Sequence, residues 1–310
     1  MSTTTLQAAP SLLDAITGPG SERDFFDTYW EKRSVLFRRE GAPLDLDFDV
    51  QSYFDAMSSE TLVKSVYKDP QGQHRECRIE PDQARRLYEA GLTICASQIH
   101  RGHAQLGRSV DDLQAHYLGT QFNYNGYLSP KGSGFGIHFD SHSVWIIQVE
   151  GSKRWFYGDE PQIPYPLTNC IYPLRRARFK LPWYTVPRPD DVQMNEVVLE
   201  PGDILYLPAG VWHRTEAAGY SLSLTLSAQP HPAGKFITDV LQNRSFLQKR
   251  GRRPLPSVTA HGPDRDVSER LLHETLAESL EALRRDIDQL TVEDLAALWV
   301  RQIDPEADAR

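Results

Sequence analysis

The chain has 310 residues, of which 40% are hydrophobic and 25% charged, and its formal net charge is −8. This length suits one large domain, or a domain with a smaller appendage, and the composition is that of an ordinary globular protein. The acidic balance disfavours general nucleic-acid binding, which usually needs a basic face.

Three cysteines, Cys77, Cys95 and Cys170, lie far apart and form no C-x-x-C pair. They predict neither a zinc knuckle nor a disulfide framework, and they fit a reducing compartment. The first residues lack the basic start and apolar run of a secretory signal, and no stretch has the apolar length of a membrane span. We therefore expect a cytoplasmic protein with no membrane partner.

Residues 1–120 are predicted to form a helical and mixed region that supports the rest of the chain. The segment 21–33 favours a helix, because Phe25, Tyr29 and Trp30 share one face and acidic residues lie in its first turn. Further helices are expected at 11–16, 50–57, 82–90 and 110–118, and short strands at 35–37, 65–67 and 75–79.

From residue 121 the pattern changes to short apolar strands separated by glycine and proline turns, which is typical of a β-sandwich or β-barrel. We place a barrel core at 121–232. Within it, a strand at 143–149 is expected to lead through a hairpin turn at 150–153 into a return strand at 154–157. Further strands are expected at 197–199, 203–207 and 221–227, with turns at 201–202 and 208–210.

After Pro232 the apolar residues return to helical spacing, and 233–310 is predicted to be a helical region. Helices are expected at 235–249, 267–283 and 292–300. The middle helix carries an apolar stripe that suits packing against another surface, formed by Leu271, Leu272, Leu276, Leu280 and Leu283.

The segment 136–140 (GIHFD) contains two candidate metal ligands, His138 and Asp140. Alternate side chains of a strand point the same way, so His138 and Asp140 project together. In the later segment 201–213 (PGDILYLPAGVWH), a strand, a tight turn and a returning strand would bring His213 back towards them. A bare H-x-D pair is more often an ordinary surface feature, but two imidazoles with one carboxylate make the facial triad that binds Fe(II) and leaves positions open for a 2-oxo acid and O₂.

The stretch 123–158 (NYNGYLSPKGSGFGIHFDSHSVWIIQVEGSKRWFYG) resembles the core of the cupin-like JmjC oxygenases, and its pattern is similar to that of the ribosomal-protein hydroxylases. The segments 201–213 and 24–40 resemble other parts of the same family, so the likeness covers roughly residues 22–230. The resemblance implies a mainly β fold with flanking helices, built on a double-stranded β-helix barrel of the JmjC type. It also implies Fe(II), 2-oxoglutarate and O₂, with His138, Asp140 and His213 as iron ligands.

The resemblance further implies that Lys153 pairs with the distal carboxylate of 2-oxoglutarate. A carboxylate drawn into a barrel needs a buried cation, because its desolvation is otherwise too costly. Lys153 could instead lie in a polar turn, with Arg154 as the cation, and strand parity allows only one of the two to face inward. We favour Lys153.

Further co-substrate contacts are expected from two strands. Asn125 and Tyr127 share one strand face, and the resemblance implies that they hydrogen-bond the co-substrate; the alternative is ordinary strand packing. In 221–227, hydroxyl and leucine side chains alternate. The hydroxyl face could meet solvent, as in many sandwiches, or could line the co-substrate pocket through Ser223 and Thr225.

The expected reaction is hydroxylation of an unactivated C–H bond on an amino-acid side chain of a protein or peptide. A halogenase would need the carboxylate of Asp140 removed, so hydroxylation is preferred. Alternatives are a free amino acid or natural-product intermediate as substrate, demethylation at the same site, and a non-catalytic cupin that binds a metal or ligand. The chain departs from the family at Ser143, where an acidic residue is common, which leaves the substrate open.

Two regions outside the barrel bear on partners. The insert 158–195 carries Arg175, Arg176, Arg178, Trp183 and Tyr184, and such loops often shape a substrate mouth. The C-terminal helices either cap the barrel or, as the resemblance implies, form a homodimer interface, which we favour.

Overall fold

The computed structural model describes residues 16–17, 22–38, 46–72, 74–172, 188–258 and 264–304. The chain divides into two compact units, Met1–Gln229 and Pro230–Arg310. Among the described residues, every helix is too short or too polar to cross a bilayer. The three-region division at residues 120 and 232 stays a prediction.

The first unit is built on an eleven-stranded antiparallel sheet within the described residues. The strands are β1 (Val35–Phe37), β2 (Val63–Lys68), β3 (His74–Ile79), β4 (Thr93–Ala96), β5 (Thr120–Ser129), β6 (His138–Phe139), β7 (Ser143–Tyr157), β8 (Cys170–Ile171), β9 (Asn195–Leu199), β10 (Ile204–Leu207) and β11 (His213–Pro230). They pair in the order β1-β10-β7-β11-β5-β4-β2-β3, with β6 beside β11 and β8, and β9 beside β7. The path of hydrogen-bonded strands does not close on itself.

Helices flank this sheet, and the predicted helices from residue 21 to residue 118 are present with shifted ends. The predicted helix at 110–118 begins at Ala104, because His103 caps its first turn by accepting a hydrogen bond from the Leu106 N–H. Most of the predicted helix at 11–16 lies outside the described residues. The helices of the first unit are α1 (Glu22–Thr28), α2 (Val50–Asp55), α3 (Ala84–Glu89) and α4 (Ala104–His116).

The predicted hairpin at 150–153 is wrong, because β7 is one strand of 15 residues. Gly151 has a φ of 62°, and the register with β11 shifts around it, so the chain bulges and continues. Gly151 still pairs with Ser221, and Lys153 pairs with Ala217. Glycine is needed here, since an added Cβ would lie 1.9 Å from the backbone oxygen of Tyr220.

One face of the sheet carries the main core of the first unit. Leu222, Leu224 and Leu226 of β11 are completely buried in this core. Helix α1 packs against the same core through Phe25, whose ring lies 5.9 Å from Trp145 and 5.0 Å from Tyr206. Because side chains alternate along β11, the opposite face is left for polar residues that point into the interior.

Within its described residues the second unit contains three α-helices, and each predicted C-terminal helix is present. Rings of His231 and Phe236 pack on Trp299 at 5.5 and 5.1 Å, and Gln248 donates a hydrogen bond of 3.0 Å to Asp286. Leu271, Leu276 and Leu280 of the predicted apolar stripe are exposed. The helices are α5 (Ala233–Leu247), α6 (Arg265–Asp288) and α7 (Val292–Ile303).

The turn between β10 and β11 links Asp140 to the strand that begins at His213. Its Gly210 has a φ of 84° and donates its backbone N–H to the carbonyl oxygen of Asp140 at 2.9 Å. A Cβ on Gly210 would lie 1.9 Å from the backbone oxygen of Ile163. The turn therefore needs a residue with no side chain.

We expect Gly210→Ala to lower the free energy of unfolding by at least about 2 kcal/mol, because left-handed backbone alone costs a residue with a Cβ about 1–2 kcal/mol and the clash adds to it. Chemical denaturation of the purified variant measures this. Gly219→Ala is the matched control, since a Cβ at Gly219 meets nothing within 4 Å. Its change should stay within about 0.5 kcal/mol, and an equal loss in both variants would contradict the prediction.

Candidate active site

His138, Asp140 and His213 meet in the interior of the first unit. His138 begins β6 and His213 begins β11, and the antiparallel register places these two residues directly opposite each other. Their ring centroids are 4.2 Å apart, and Nε2 of His213 lies 3.8 Å from Oδ2 of Asp140. One possible ligand atom from each residue falls within 4.8 Å of the other two, so the three could share a metal ion.

Backbone carbonyls orient both imidazole rings of this cluster. Nδ1 of His138 lies 2.7 Å from the oxygen of Gly136, and Nδ1 of His213 lies 2.9 Å from the oxygen of Val211. A carbonyl oxygen only accepts hydrogen bonds, so each Nδ1 carries the proton and each Nε2 keeps its lone pair for a metal.

The charge states in the cluster also suit a cation. Burial, together with the neighbouring His138, lowers the pKa of His213 to about 4, so its ring is neutral at pH 7. Burial works against ionisation of Asp140, but the nearby imidazoles of His138, His213 and His142 outweigh it and hold the pKa of Asp140 below its usual range. A neutral imidazole at His213 and an ionised carboxylate at Asp140 are ligand forms that a divalent ion requires.

Lys153 lies in the same interior with only 2% of its surface exposed. Its Nζ donates to the hydroxyl of Ser129 at 3.3 Å and lies 5.8 Å from the ring centroid of Phe135. No carboxylate pairs with it among the described residues. Arg154 points the other way and pairs with Glu196 at the surface, at 2.6 Å, so strand parity has turned the lysine inward.

The triad and Lys153 line one cavity, and most of the other predicted contacts reach it. Tyr127, Ser223 and Thr225 line its wall, and the hydroxyl face of β11 is buried rather than exposed to solvent. Asn125 is not among the lining residues; its side-chain oxygen accepts a hydrogen bond from the Gln98 N–H at 3.0 Å. A direct contact between Asn125 and a co-substrate stays a prediction.

Several side chains of the site were missed in the sequence, among them Trp155, Ser129 and Phe135. Trp155 stacks on His213 at 5.8 Å, and its indole N–H is buried without a hydrogen-bond partner among the described residues. Trp155 points to the same side of its strand as Lys153, and Ser129 points to the same side as Tyr127. The alternation of side chains along a strand could therefore have identified both Trp155 and Ser129. Phe135 lies in the loop before β6, where the alternation of side chains along a strand makes no prediction.

These features together fit a metal ion and an anionic co-substrate. Within the part of the chain that the structure describes, the cavity contains a buried cation without a counter-charge and an indole N–H without an acceptor, and both would be satisfied by an anion with several oxygens. Val144 and Ile146 form an apolar part of the same wall.

Ser143 and the insert 158–195, both singled out in the sequence, differ in what the structure shows of them. Ser143, where the sequence departs from the family pattern, is buried, and its hydroxyl lies 3.3 Å from both the Tyr206 hydroxyl and the Ala209 N–H, so it supports the turn before His213. The insert residues predicted to shape a substrate mouth lie outside the described residues; they are Arg175, Arg176, Arg178, Trp183 and Tyr184.

Comparison with known proteins matches residues 100–236 to the JmjC domain family. The chain is 27% identical over 263 residues to ribosomal oxygenase 2 of Rattus norvegicus, covering 76% of this chain and 51% of that protein. It is 29% identical over 267 residues to the bifunctional lysine-specific demethylase and histidyl-hydroxylase NO66 of Drosophila grimshawi, covering 81% of this chain and 35% of that protein. The chain therefore spans about half, or less, of the length of these relatives.

Among solved structures, the ribosomal oxygenase YcfD of Escherichia coli, in complex with cobalt and 2-oxoglutarate, is similar to this chain. The match covers 83% of this chain and 65% of that one, with 21% identity and a TM-score of 0.51. This likeness shows the fold. The predicted mainly β fold of the JmjC type and the family resemblance are thus confirmed.

Burial lowers the pKa of Lys153 from its ordinary 10.5 to about 8, so the folded, ligand-free protein carries the cost of a buried charge below pH 8. That cost falls as the pH rises from about 8 to 10.5, because the unfolded chain still binds the proton there and the folded chain does not. We expect Lys153→Met to be more stable than the wild type at pH 7, by on the order of 3 kcal/mol, and to lose this advantage by pH 10.5.

Urea denaturation of both proteins between pH 7 and 10.5 measures this difference and cancels the titration of other groups. Arg154→Met is the control, because its exposed side chain should give no such pH-dependent gain. Equal stabilities of wild type and Lys153→Met across the range would contradict the buried-charge interpretation.

Proposed function

We propose that this JmjC-domain protein is an Fe(II)- and 2-oxoglutarate-dependent oxygenase that hydroxylates an unactivated C–H bond on an amino-acid side chain of a protein or peptide. Residues 100–236 match the JmjC domain family. One observation carries the proposal: three metal-ligating side chains and a buried lysine without a carboxylate partner, among the described residues, face one cavity.

The metal would be held by Nε2 of His138, Nε2 of His213 and one oxygen of Asp140. This donor set is the facial triad of non-haem iron oxygenases, and it leaves half of an octahedral shell open. Bound Fe(II), with 2-oxoglutarate and O₂, supplies the oxidising chemistry that replaces C–H by C–OH. The backbone carbonyls of Gly136 and Val211 hold the rings in the ligating orientation throughout.

Lys153 would pair with the far carboxylate of 2-oxoglutarate. The Ser129 hydroxyl steadies the ammonium group, and Tyr127, Ser223 and Thr225 offer hydroxyl groups on the surrounding wall. Burial raises the pKa of Tyr127, so its hydroxyl stays protonated and can donate to a carboxylate oxygen. Binding would convert an uncompensated buried charge into a paired one, which favours the complex.

The apolar side chains of the cavity would keep water from the reacting atoms. Trp155 covers His213 on one side, and Val144 and Ile146 line the same cavity as the metal ligands and Lys153. In such a dry cavity the fixed charges act more strongly than in water.

A protein or peptide substrate is supported by the names of the relatives, which include ribosomal oxygenases and a histidyl-hydroxylase. The net charge of −8 suits a basic partner. Hydroxylation of a free amino acid or natural-product intermediate is the alternative within this chemistry, and a non-catalytic metal- or ligand-binding cupin is the alternative outside it. A cytoplasmic location and a homodimer formed through the C-terminal helices belong to the same proposal.

Anaerobic titration with Fe(II) and 2-oxoglutarate should produce a weak visible band only when both are present. His138→Ala should lose the band, because a metal ligand is gone. Lys153→Met should keep Fe(II) binding and weaken 2-oxoglutarate binding by on the order of 100-fold, since one half of a buried charge pair is missing. Arg154→Met serves as the control and should titrate like the wild type. Iron binding without a band would instead favour a different cupin enzyme or a binding protein.

With basic peptides, starting with fragments of ribosomal proteins, turnover should form succinate in step with a product that has gained one oxygen atom. Mass spectrometry of the peptide and assay of succinate measure the two together. Loss of a methyl group from an N-methylated peptide, with no oxygen retained, would point to demethylation. Coupled turnover with free amino acids alone would contradict the peptide assignment.

A further inference from the structure

A residue of the insert reaches the carboxylate of the triad. Asn169 directly precedes β8, and β8 pairs with β6, with Phe139 opposite Cys170. In this antiparallel pair, the residue before Cys170 lies beside the residue after Phe139, which is Asp140. Nδ2 of Asn169 donates to Oδ1 of Asp140 at 2.9 Å.

The orientation of this amide is determined by its second set of contacts. The backbone N–H and the hydroxyl of Ser141 both lie 2.8 Å from Oδ1 of Asn169. A backbone N–H can only donate, so the atom facing it must be the amide oxygen. The NH₂ group is therefore the one that faces Asp140, and an aspartate at position 169 would set two carboxylate oxygens against each other.

The hydrogen bond makes the two oxygens of Asp140 unequal. Oδ1 is occupied by Asn169, while Oδ2 is turned towards the imidazoles, 3.8 Å from Nε2 of His213. A carboxylate free to rotate could offer both oxygens to a metal, or turn away from it. A facial triad with three open positions needs one oxygen only.

We infer that Asn169 is a positioning residue that holds Asp140 as a single-oxygen metal ligand and so keeps the remaining positions open for co-substrate and O₂. The inference rests on the proposed function for its biological meaning, but it concerns metal binding itself. It also assigns a role to the insert between the metal ligands, which contributes a hydrogen bond to the ligand set.

The test uses Co(II) alone as the probe, with the whole 310-residue chain. Affinity is measured by competition with a chelating dye, and the geometry of the site by the visible absorption of bound Co(II). Asn169→Ala should weaken binding by about 10–100-fold and change the visible spectrum, since loss of an outer hydrogen bond to a ligand typically has effects of this size. Ser141→Ala removes one of two hydrogen bonds to the Asn169 oxygen and should give a smaller loss in the same direction.

Thr168→Ala is the matched control in the same loop. Its hydroxyl donates to the backbone oxygen of Asn169 at 3.3 Å and makes no hydrogen bond to Asp140 among the described residues. This variant should match the wild type in both affinity and spectrum. Thermal unfolding of the metal-free proteins shows whether each variant is folded.

Wild-type affinity and spectrum in Asn169→Ala would overturn the inference, and so would an equal loss in Thr168→Ala. If Asn169→Ala does not fold, Ser141→Ala decides, and wild-type behaviour there overturns the inference. If the wild type binds Co(II) and Asn169→Ala loses it, but 2-oxoglutarate gives no band with Fe(II), the positioning role stands and the proposed function fails. A wild type that binds no Co(II) would overturn both.

Discussion

The pairing of β11 with β6 and β7 is the constraint on which the rest of the site depends. It sets His213 opposite His138, and it aligns the hydroxyl face of β11 with the inward face of β7 that carries Lys153. The other face of β11 carries leucines of the main core. A slip of one residue would exchange these faces, burying hydroxyls in the core and turning leucines into the cavity. Core packing therefore enforces the geometry of the site.

The site combines features that cost stability with features that maintain it. A buried ammonium group, and an indole N–H that finds no acceptor in the described ranges, are unfavourable in the ligand-free fold. The surrounding sheet, with its leucine core and its aromatic contacts to Phe25, keeps these groups in position. Such pre-organisation means that an anionic ligand meets its partners already placed, and little ordering is left to oppose binding.

Backbone geometry at a few positions connects the separate parts of the site. Gly210 lets the β10–β11 turn approach Ile163 and donate a hydrogen bond to the carbonyl of Asp140. The Ser143 hydroxyl accepts a hydrogen bond from the same turn. Asn169 donates a hydrogen bond to the side chain of Asp140. The carboxylate is thus fixed through both its backbone and its side chain, by segments that lie far apart in the sequence.

Local periodicity in the sequence predicted much of this protein. A period of two was enough to place His138 with Asp140, to allow only one of Lys153 and Arg154 to face inward, and to separate Ser223 and Thr225 from the leucines, because side-chain direction along a strand is a property of the local backbone. The same rule could have found Ser129 and Trp155. The choice of Lys153 over Arg154 came from the family resemblance. The hairpin expected at Gly151 was wrong, because a glycine between apolar runs is equally compatible with a turn and a bulge, and only pairing with β11 distinguishes them.

The tertiary structure decided what depends on contacts between distant segments. The approach of Asn169 to Asp140, the interaction of Asn125 with Gln98, and the burial of the Trp155 indole away from any acceptor among the described residues all follow from registers between strands and loops that no local pattern encodes. Sequence by itself determined which residues share a strand face, because side chains alternate along any strand. The fold determined which of them meet, because register is set by the packing of the whole core rather than by any one segment.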